Sequence, residues 1–290
     1  MAMRKTGHSP YWFLAPAAAL YAGVIVVPVF YSFYLSLFKW NGVSPRKKFV
    51  GLQNYVNVIA NDETFLTAAR NNIVWIVLTM LFTVGVALAL ALLLNRSFRG
   101  RVFFRGGFYF PYVLSGVIVA IIWSWVYHPQ LGLIANLAAS FGFGGAAKAL
   151  LADTRTAFFA VYAAALWQGV GAPMVLFLAG LQTIPRDLFE AATIDGTNKF
   201  QAFIHVTIPM LRETFVVVFA TQIITSMKVY DLIYAMTGGG PADSTQTMAT
   251  WMVMQTFTFA NVGMGTAIAC IMVLVLMTVV IPFVLFMAKE

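Results

Sequence analysis

The stretch IPRDLFEAATIDGTNKFQAFIHVTIPML, Ile184 to Leu211, interrupts two long hydrophobic runs of the chain. It reads as two short helices joined by a turn. Pro185 suits a first helical turn, where its missing N–H costs nothing. Asp187 and Glu190 lie early in the first helix, where the dipole favours acids. Gly196 can close that helix in a left-handed conformation, and Thr197 or Asn198 can cap the second. Phe200, Phe203 and Ile204 form an apolar stripe at helical spacing, and Pro209 ends it. Glu190 stands beside the small Ala191 and Ala192. Small residues admit a partner surface closely, and a carboxylate can fix its register by pairing with a cation. An amphipathic loop resting on the membrane is the other reading of the same residues.

Outward from this segment the chain is dominated by hydrocarbon. Of its 290 residues, 61% are hydrophobic and 10% charged, against about half and about a quarter in a soluble domain. Apolar runs long enough to span, judged against a need of about 20 residues, recur near 11–38, 72–94, 108–127, 157–181, 214–236 and 263–288. Continuous apolarity predicts helices rather than barrel strands, which alternate. The expected architecture is an all-α integral membrane protein of six transmembrane helices, one membrane domain over residues 1–290, with residues 182–213 as a cytoplasmic loop. The first run exceeds a signal-peptide core of about 7–15 residues. It is read as an uncleaved span, with a cleaved signal as the alternative.

Charge sets the expected orientation. Residues 95–107 hold Arg96, Arg99, Arg101 and Arg105 with no acid, and Arg4 and Lys5 precede the first run. Both segments are therefore placed on the cytoplasmic side, with both termini. The first outer loop is an exception, with Lys39, Arg46, Lys47, Lys48 and Arg70. Trp12, Trp40, Trp123, Trp125, Tyr109, Tyr112 and Tyr127 fall near span ends, as an interfacial belt or as packing residues.

The net charge of +8 is explained by these loops, and no basic helix interleaved with aromatics points to nucleic acid. Cys270 is the one cysteine and His8, His128 and His205 are scattered, so no metal cluster or disulfide is expected. Gly142, Gly144 and Ala147 match a dinucleotide fingerprint, but no strand precedes them. No G-x-x-x-x-G-K-[ST] occurs, so ATP has no Walker-type site here.

The run E-A-A-x-x-D-G at Glu190–Gly196, followed by I-P-M-L at Ile208–Leu211, resembles the EAA loop of ABC-importer permease subunits. The preceding L-A-G-L-Q-T-I-P-R-D-L, Leu178–Leu188, and K-V-Y-D-L-I-Y-A-M-T-G-G-G-P, Lys228–Pro241, resemble the sugar-uptake branch that includes the maltose permeases. The family usually has Ala after the D-G pair, where this chain has Thr197, a residue suited to capping. The resemblance implies a type I ABC importer permease fold in a bacterial or archaeal cytoplasmic membrane. It implies that Glu190, Ala191, Ala192, Asp195, Gly196 and Pro209 couple to a separate ATPase. The implied partners are a second permease in a heterodimer, two ATPase subunits holding ATP and Mg, an extracytoplasmic solute-binding protein and membrane lipid. This chain itself binds no cofactor and performs no catalysis.

Polar groups inside spans face a path or another helix. Gln168 with Trp167 in the fourth span, and Thr221, Gln222, Thr225, Ser226, Lys228, Tyr230 and Asp231 in the fifth, supply the hydrogen bonds and flat faces a sugar needs. Taken singly, Thr and Ser more often bond back to their own helix. Lys228 and Asp231, three apart, are expected to pair. Gly263/Ala267 and Gly265/Ala269 in the sixth span predict close helix packing. A glycerol-3-phosphate importer is the first alternative. A self-contained secondary transporter would need more intramembrane charges, and an intramembrane enzyme has no visible constellation.

Overall fold

A computed structural model describes residues 13–141 and 150–288. Arg4, Lys5, His8, Trp12, Gly142, Gly144 and Ala147 lie outside the described residues. The described elements are helix α1 (Ala15–Leu35), the paired strands β1 (Phe38–Lys39) and β2 (Lys48–Phe49), α2 (Gln53–Val56), α3 (Glu63–Leu94), α4 (Arg101–Val113), α5 (Gly116–Val126), α6 (Leu133–Ser140), α7 (Ala157–Gly169), α8 (Gly171–Thr183), α9 (Arg186–Ile194), α10 (Lys199–Met210), α11 (Arg212–Met227), α12 (Asp231–Thr237), α13 (Met248–Val253) and α14 (Val262–Ala288).

Three helices, α1, α3 and α14, are long and apolar enough to cross a membrane unbroken. Three bent pairs supply the rest: α4 with α5 at 101°, α7 with α8 at 41° and α10 with α11 at 68°, giving six if each pair is one span. Several expected runs are thus interrupted rather than straight. Pro111 lies inside α4, and Leu114 leaves the helix in an extended conformation. Ser115 then caps α5, its Oγ accepting from the Ile118 N–H at 3.3 Å. Near Val170, Pro173 in the first turn of α8 removes a backbone donor. The fifth run breaks at Lys228–Tyr230, so α11 ends at Met227 and α12 begins at Asp231.

The second expected span begins at Asn72, whereas α3 begins at Glu63. Hydropathy marks only the stretch that meets lipid. The first turns of α3 are polar because protein covers them: Asn71 Nδ2 donates to the Ser244 and Gln246 carbonyls at 2.9 and 2.8 Å.

The chain divides into two compact units. The first, 1–62 with 252–271, holds α1, the hairpin and the start of α14. Asn54 Nδ2 donates to the Ser36 and Phe38 carbonyls at 2.7 and 3.0 Å, and a Cβ at Gly263 would collide with the Phe38 carbonyl. Gly263, Gly265 and Ala267 are buried, which gives the small residues of the sixth span a packing role within the chain. Lys47, one of the cations between the first two expected spans, lies 4.4 Å from the Trp40 ring centroid and 5.3 Å from that of Tyr31.

The second unit, 63–251 with 272–290, carries most of the core. Val84, Ala87, Ala91 and Leu94 of α3 interleave with Met174, Phe177, Leu178 and Leu181 of α8, both sets at spacings of three and four. A second cluster joins Trp75 of α3 to Phe158, Val161 and Tyr162 of α7 and to Leu232 and Ile233 of α12. Of the interfacial aromatics, Tyr127 is buried and its hydroxyl donates to the Ala160 carbonyl at 2.9 Å. It is a packing residue.

Candidate functional site

The segment that opened the sequence argument folds as a compact helical element. Pro185 takes an extended conformation as the N-cap of α9, with Asp187 in the first turn. Gly196 is left-handed, φ +75°. Around it the Gly196 N–H reaches the Thr193 carbonyl at 3.1 Å and the Thr197 N–H reaches the Ala192 carbonyl at 3.0 Å. This is the Schellman closure that spares the last carbonyls of a helix. The Thr197 hydroxyl adds a bond to the same Ala192 carbonyl at 2.6 Å. Thr197 therefore closes the first helix, and Asn198 starts the second through a reciprocal capping box with Gln201.

Pro209 does not end the second helix. It sits in the final turn, after a wide turn over Phe203–Thr207 in which the Ile208 N–H reaches the Phe203 carbonyl. That extra residue accommodates the missing donor at 209. The chain bends instead at Leu211, which is wholly buried. Glu190, Ala191, Asp195 and Gly196 are exposed, while Ala192 is buried. Asp187, Glu190, Ala191 and Ile194 share one helical face, and Ile194 is 86% exposed.

The polar residues singled out inside the fourth and fifth runs come together. Gln168, Thr221, Gln222, Thr225, Ser226, Lys228, Tyr230 and Asp231 all line one cavity of about 530 Å³ in the second unit. Trp167 does not; one residue along the helix, it faces a separate apolar recess. Thr221 and Thr225 donate to carbonyls of their own helix, at 2.8 Å to Val217 and 3.0 Å to Thr221. The Gln168 amide donates to the Leu114 carbonyl at 2.8 Å, satisfying a group freed by the α4–α5 break.

The expected Lys228–Asp231 pair does not form: no ion pair joins them among the described residues. The helix that would stack them one turn apart is broken between them. Asp231 instead lies against the N-terminus of α5, its Oδ2 3.1 Å from where a Gly116 Cβ would stand. The positive end of the helix dipole faces that carboxylate.

Trp75, Thr79, Thr83, Tyr112 and Tyr162 also line the cavity; the sequence reading named Tyr112 alone of these, and only as an aromatic near a span end. Thr79 and Thr83 open and close a wide turn within α3, and Thr83 Oγ1 lies 3.0 Å from the Tyr162 hydroxyl. Their signal was available: they are hydroxyls inside an apolar run.

Comparison with known proteins follows the same outline. Residues 59–288 match the family described as binding-protein-dependent transport system inner membrane component. The probable ABC transporter permease protein YurN of Bacillus subtilis is 33% identical over 268 residues, covering 92% of this chain and 91% of that protein. The trehalose/maltose transport system permease protein MalF of Thermococcus litoralis is 32% identical over 263 residues, covering 89% and 86%. A solved bacterial ABC transporter involved in importing the acidic polysaccharide alginate has a chain that superposes with TM-score 0.83 at 20% identity, covering 96% of this chain and 94% of that one. The type I permease fold expected from the sequence is the fold found. With four fifths of its length matched, the chain belongs to the family of inner membrane components of binding-protein-dependent transport systems.

Proposed function

We propose that the chain is one of two permease subunits of an ATP-driven importer carrying a sugar or oligosaccharide handed over by a solute-binding protein. The cavity of about 530 Å³ supports this reading most directly. Breaks in α4–α5, α7–α8 and α11–α12 all reach its wall, through Gly116, Gly169 and Lys228–Asp231. Discontinuous helices at a transport site offer free backbone groups and helix termini to a substrate. The wall also carries amides, hydroxyls and the rings of Trp75, Tyr112, Tyr162 and Tyr230, a set suited to polyhydroxylated molecules. The names of the relatives agree: trehalose and maltose for one, multiple sugars for another from Streptococcus mutans.

Glu190, Ala191, Asp195 and Gly196 are proposed to meet a separate ATPase dimer, which holds ATP and Mg, on the cytoplasmic side with both termini. Ala192 and Pro209 would act from within, shaping the element. Closure of the ATPases would move the element as a unit and shift the permease pair between inward-open and outward-open states. Such a shift needs strongly different affinity of the nucleotide for the two states. A glycerol-3-phosphate substrate is disfavoured, since Lys228 is the one cation on the cavity wall.

The test is ATP hydrolysis by the assembled complex in proteoliposomes, with its binding protein and a panel of neutral sugars and polyol phosphates. Stimulation by a sugar, abolished in Glu190→Lys and Gly196→Arg with the chain still inserted, is the expected result. Full uptake by both variants would refute the coupling assignment.

A further inference from the structure

A second recess of the same unit, about 420 Å³, lies between α3, α4 and α7 and takes no part in the proposed path. Its wall is hydrocarbon, from Val86 and Leu90 of α3, Phe104, Phe108 and Pro111 of α4, and Trp167 of α7. Val86 and Leu90 are one turn apart on α3, and the groove they line with Phe104 and Phe108 runs between α3 and α4 toward the connection that joins them. There the Arg105 side chain crosses from α4. Its Nη2 donates to the Leu94 carbonyl at 2.7 Å, while its buried Nε has no hydrogen-bond partner.

Arg96, Arg99 and Arg101 are exposed in and beside the short connection at that same end. No Asp or Glu occurs between Glu63 and Asp153 to neutralise them. The first turn of α4 adds backbone donors, because Gly100 precedes it without a side-chain cap. Setting orientation explains why cations are there, but any loop geometry would serve that purpose. It does not explain cations gathered at the end of an apolar slot, with Arg101 one helical turn from Phe104 of its wall.

We propose that this groove is a site for an anionic phospholipid. The acyl chain lies along Val86, Leu90 and Phe108, and the phosphate sits at the arginine end. There it pairs with the exposed Arg101, one helical turn from Phe104 and Arg105 on α4. Charge complementarity selects the occupant. A zwitterionic lipid would bring its own cation against the arginines, and a partner helix would bring no phosphate to Arg101.

Native mass spectrometry tests this on the full chain extracted with its associated subunits in mild detergent. The sample is offered equal dioleoylphosphatidylglycerol and dioleoylphosphatidylcholine. The wild type is expected to retain the phosphatidylglycerol preferentially. Arg101→Gln and Arg105→Gln should each lower that preference about fivefold, the weight of one cation near an anionic headgroup. Arg101→Gln is the control for folding, since it breaks no bond to α3. Gly107→Phe, at a groove position with open space beside its Cα, should reduce retention of both lipids alike. Equal retention of the two lipids by the wild type overturns the proposal, as does a preference that neither arginine substitution lowers. A photo-crosslink from position 104 to protein instead of lipid would overturn it too.

Discussion

Asn72 offers a sharp test of how the cavity is held in shape. It is 1% exposed, its Nδ2 donates to the Ser226 carbonyl at 3.1 Å, and its Oδ1 accepts from the Met248 N–H at 2.8 Å. One side chain thus ties α3 to the last turn of α11 and to the first N–H of α13. Asn72→Leu keeps the size and removes both bonds. The two orphans are unequal. The Ser226 carbonyl retains a long contact from the Val229 N–H at 3.5 Å, whereas the Met248 N–H begins a helix and has no other partner in its own turn. An orphaned buried group costs about 1–3 kcal/mol, so the expected loss is about 2–4 kcal/mol. If the freed groups found substitutes, as polar groups in membranes often do, the loss would fall near 0.6 kcal/mol per bond. Asn72→Asp separates the two halves of the interaction. It keeps the acceptor for Met248 but sets a carboxylate oxygen against the Ser226 carbonyl, and should be at least as harmful. The assay is the midpoint of heat-induced loss of the folded chain in detergent, paired with substrate-stimulated ATP hydrolysis by the complex. A Leu variant within 0.5 kcal/mol of wild type would refute the view that this residue organises the α11–α12 break.

Three further substitutions follow from close contacts. At Gly180 a Cβ would collide with the Thr214 hydroxyl and stand 2.9 Å from Leu211 Cδ2; Gly180→Ala should destabilise by about 1–3 kcal/mol, measured by the same thermal assay. Gln168→Leu leaves the Leu114 carbonyl without its 2.8 Å donor and should cost about 1–3 kcal/mol while raising the substrate concentration needed for half-maximal transport. Thr197→Val removes the 2.6 Å bond to the Ala192 carbonyl but leaves the backbone bond; a loss of about 0.5–1.5 kcal/mol should appear as faster proteolysis of the α9–α10 turn, with little change in global stability.

The sequence was most informative where local rules act alone. Gly196, Asn198 and Asp187 each follow from the needs of a helix end, and the turn folds accordingly; Glu190, also expected near the start, lies mid-helix. That the polar residues of the fourth and fifth runs line one cavity was legible for a related reason: a polar group in an apolar run has to face something other than lipid. What the sequence concealed were the interruptions. A run such as 108–127 is apolar on both sides of Leu114–Ser115, and hydropathy does not register a change of direction. The error at Lys228 and Asp231 came from the same source, since i,i+3 pairing presumes a helix that stops at Met227. Trp167 was misplaced because neighbouring residues on a helix point about 100° apart, and only Gln168 faces inward.

Those interruptions bear directly on function. In hydrocarbon a helix break is tolerated only where protein or water covers the freed backbone. The α4–α5 break is covered by the Gln168 amide and by Asp231 beside Gly116; the α11–α12 break is covered by Asn72. In both cases the covering groups lie on other helices, so the breaks hold only while α3, α7 and α12 keep their positions. A shift of any of these helices would expose backbone groups at the cavity wall, and a shift back would cover them. Movement between the states of the proposed importer would have to break and remake these bonds. Under the proposed function, the side chains that bridge the breaks would set the balance between states, and the hydroxyls and rings facing the open space would set which substrate is held.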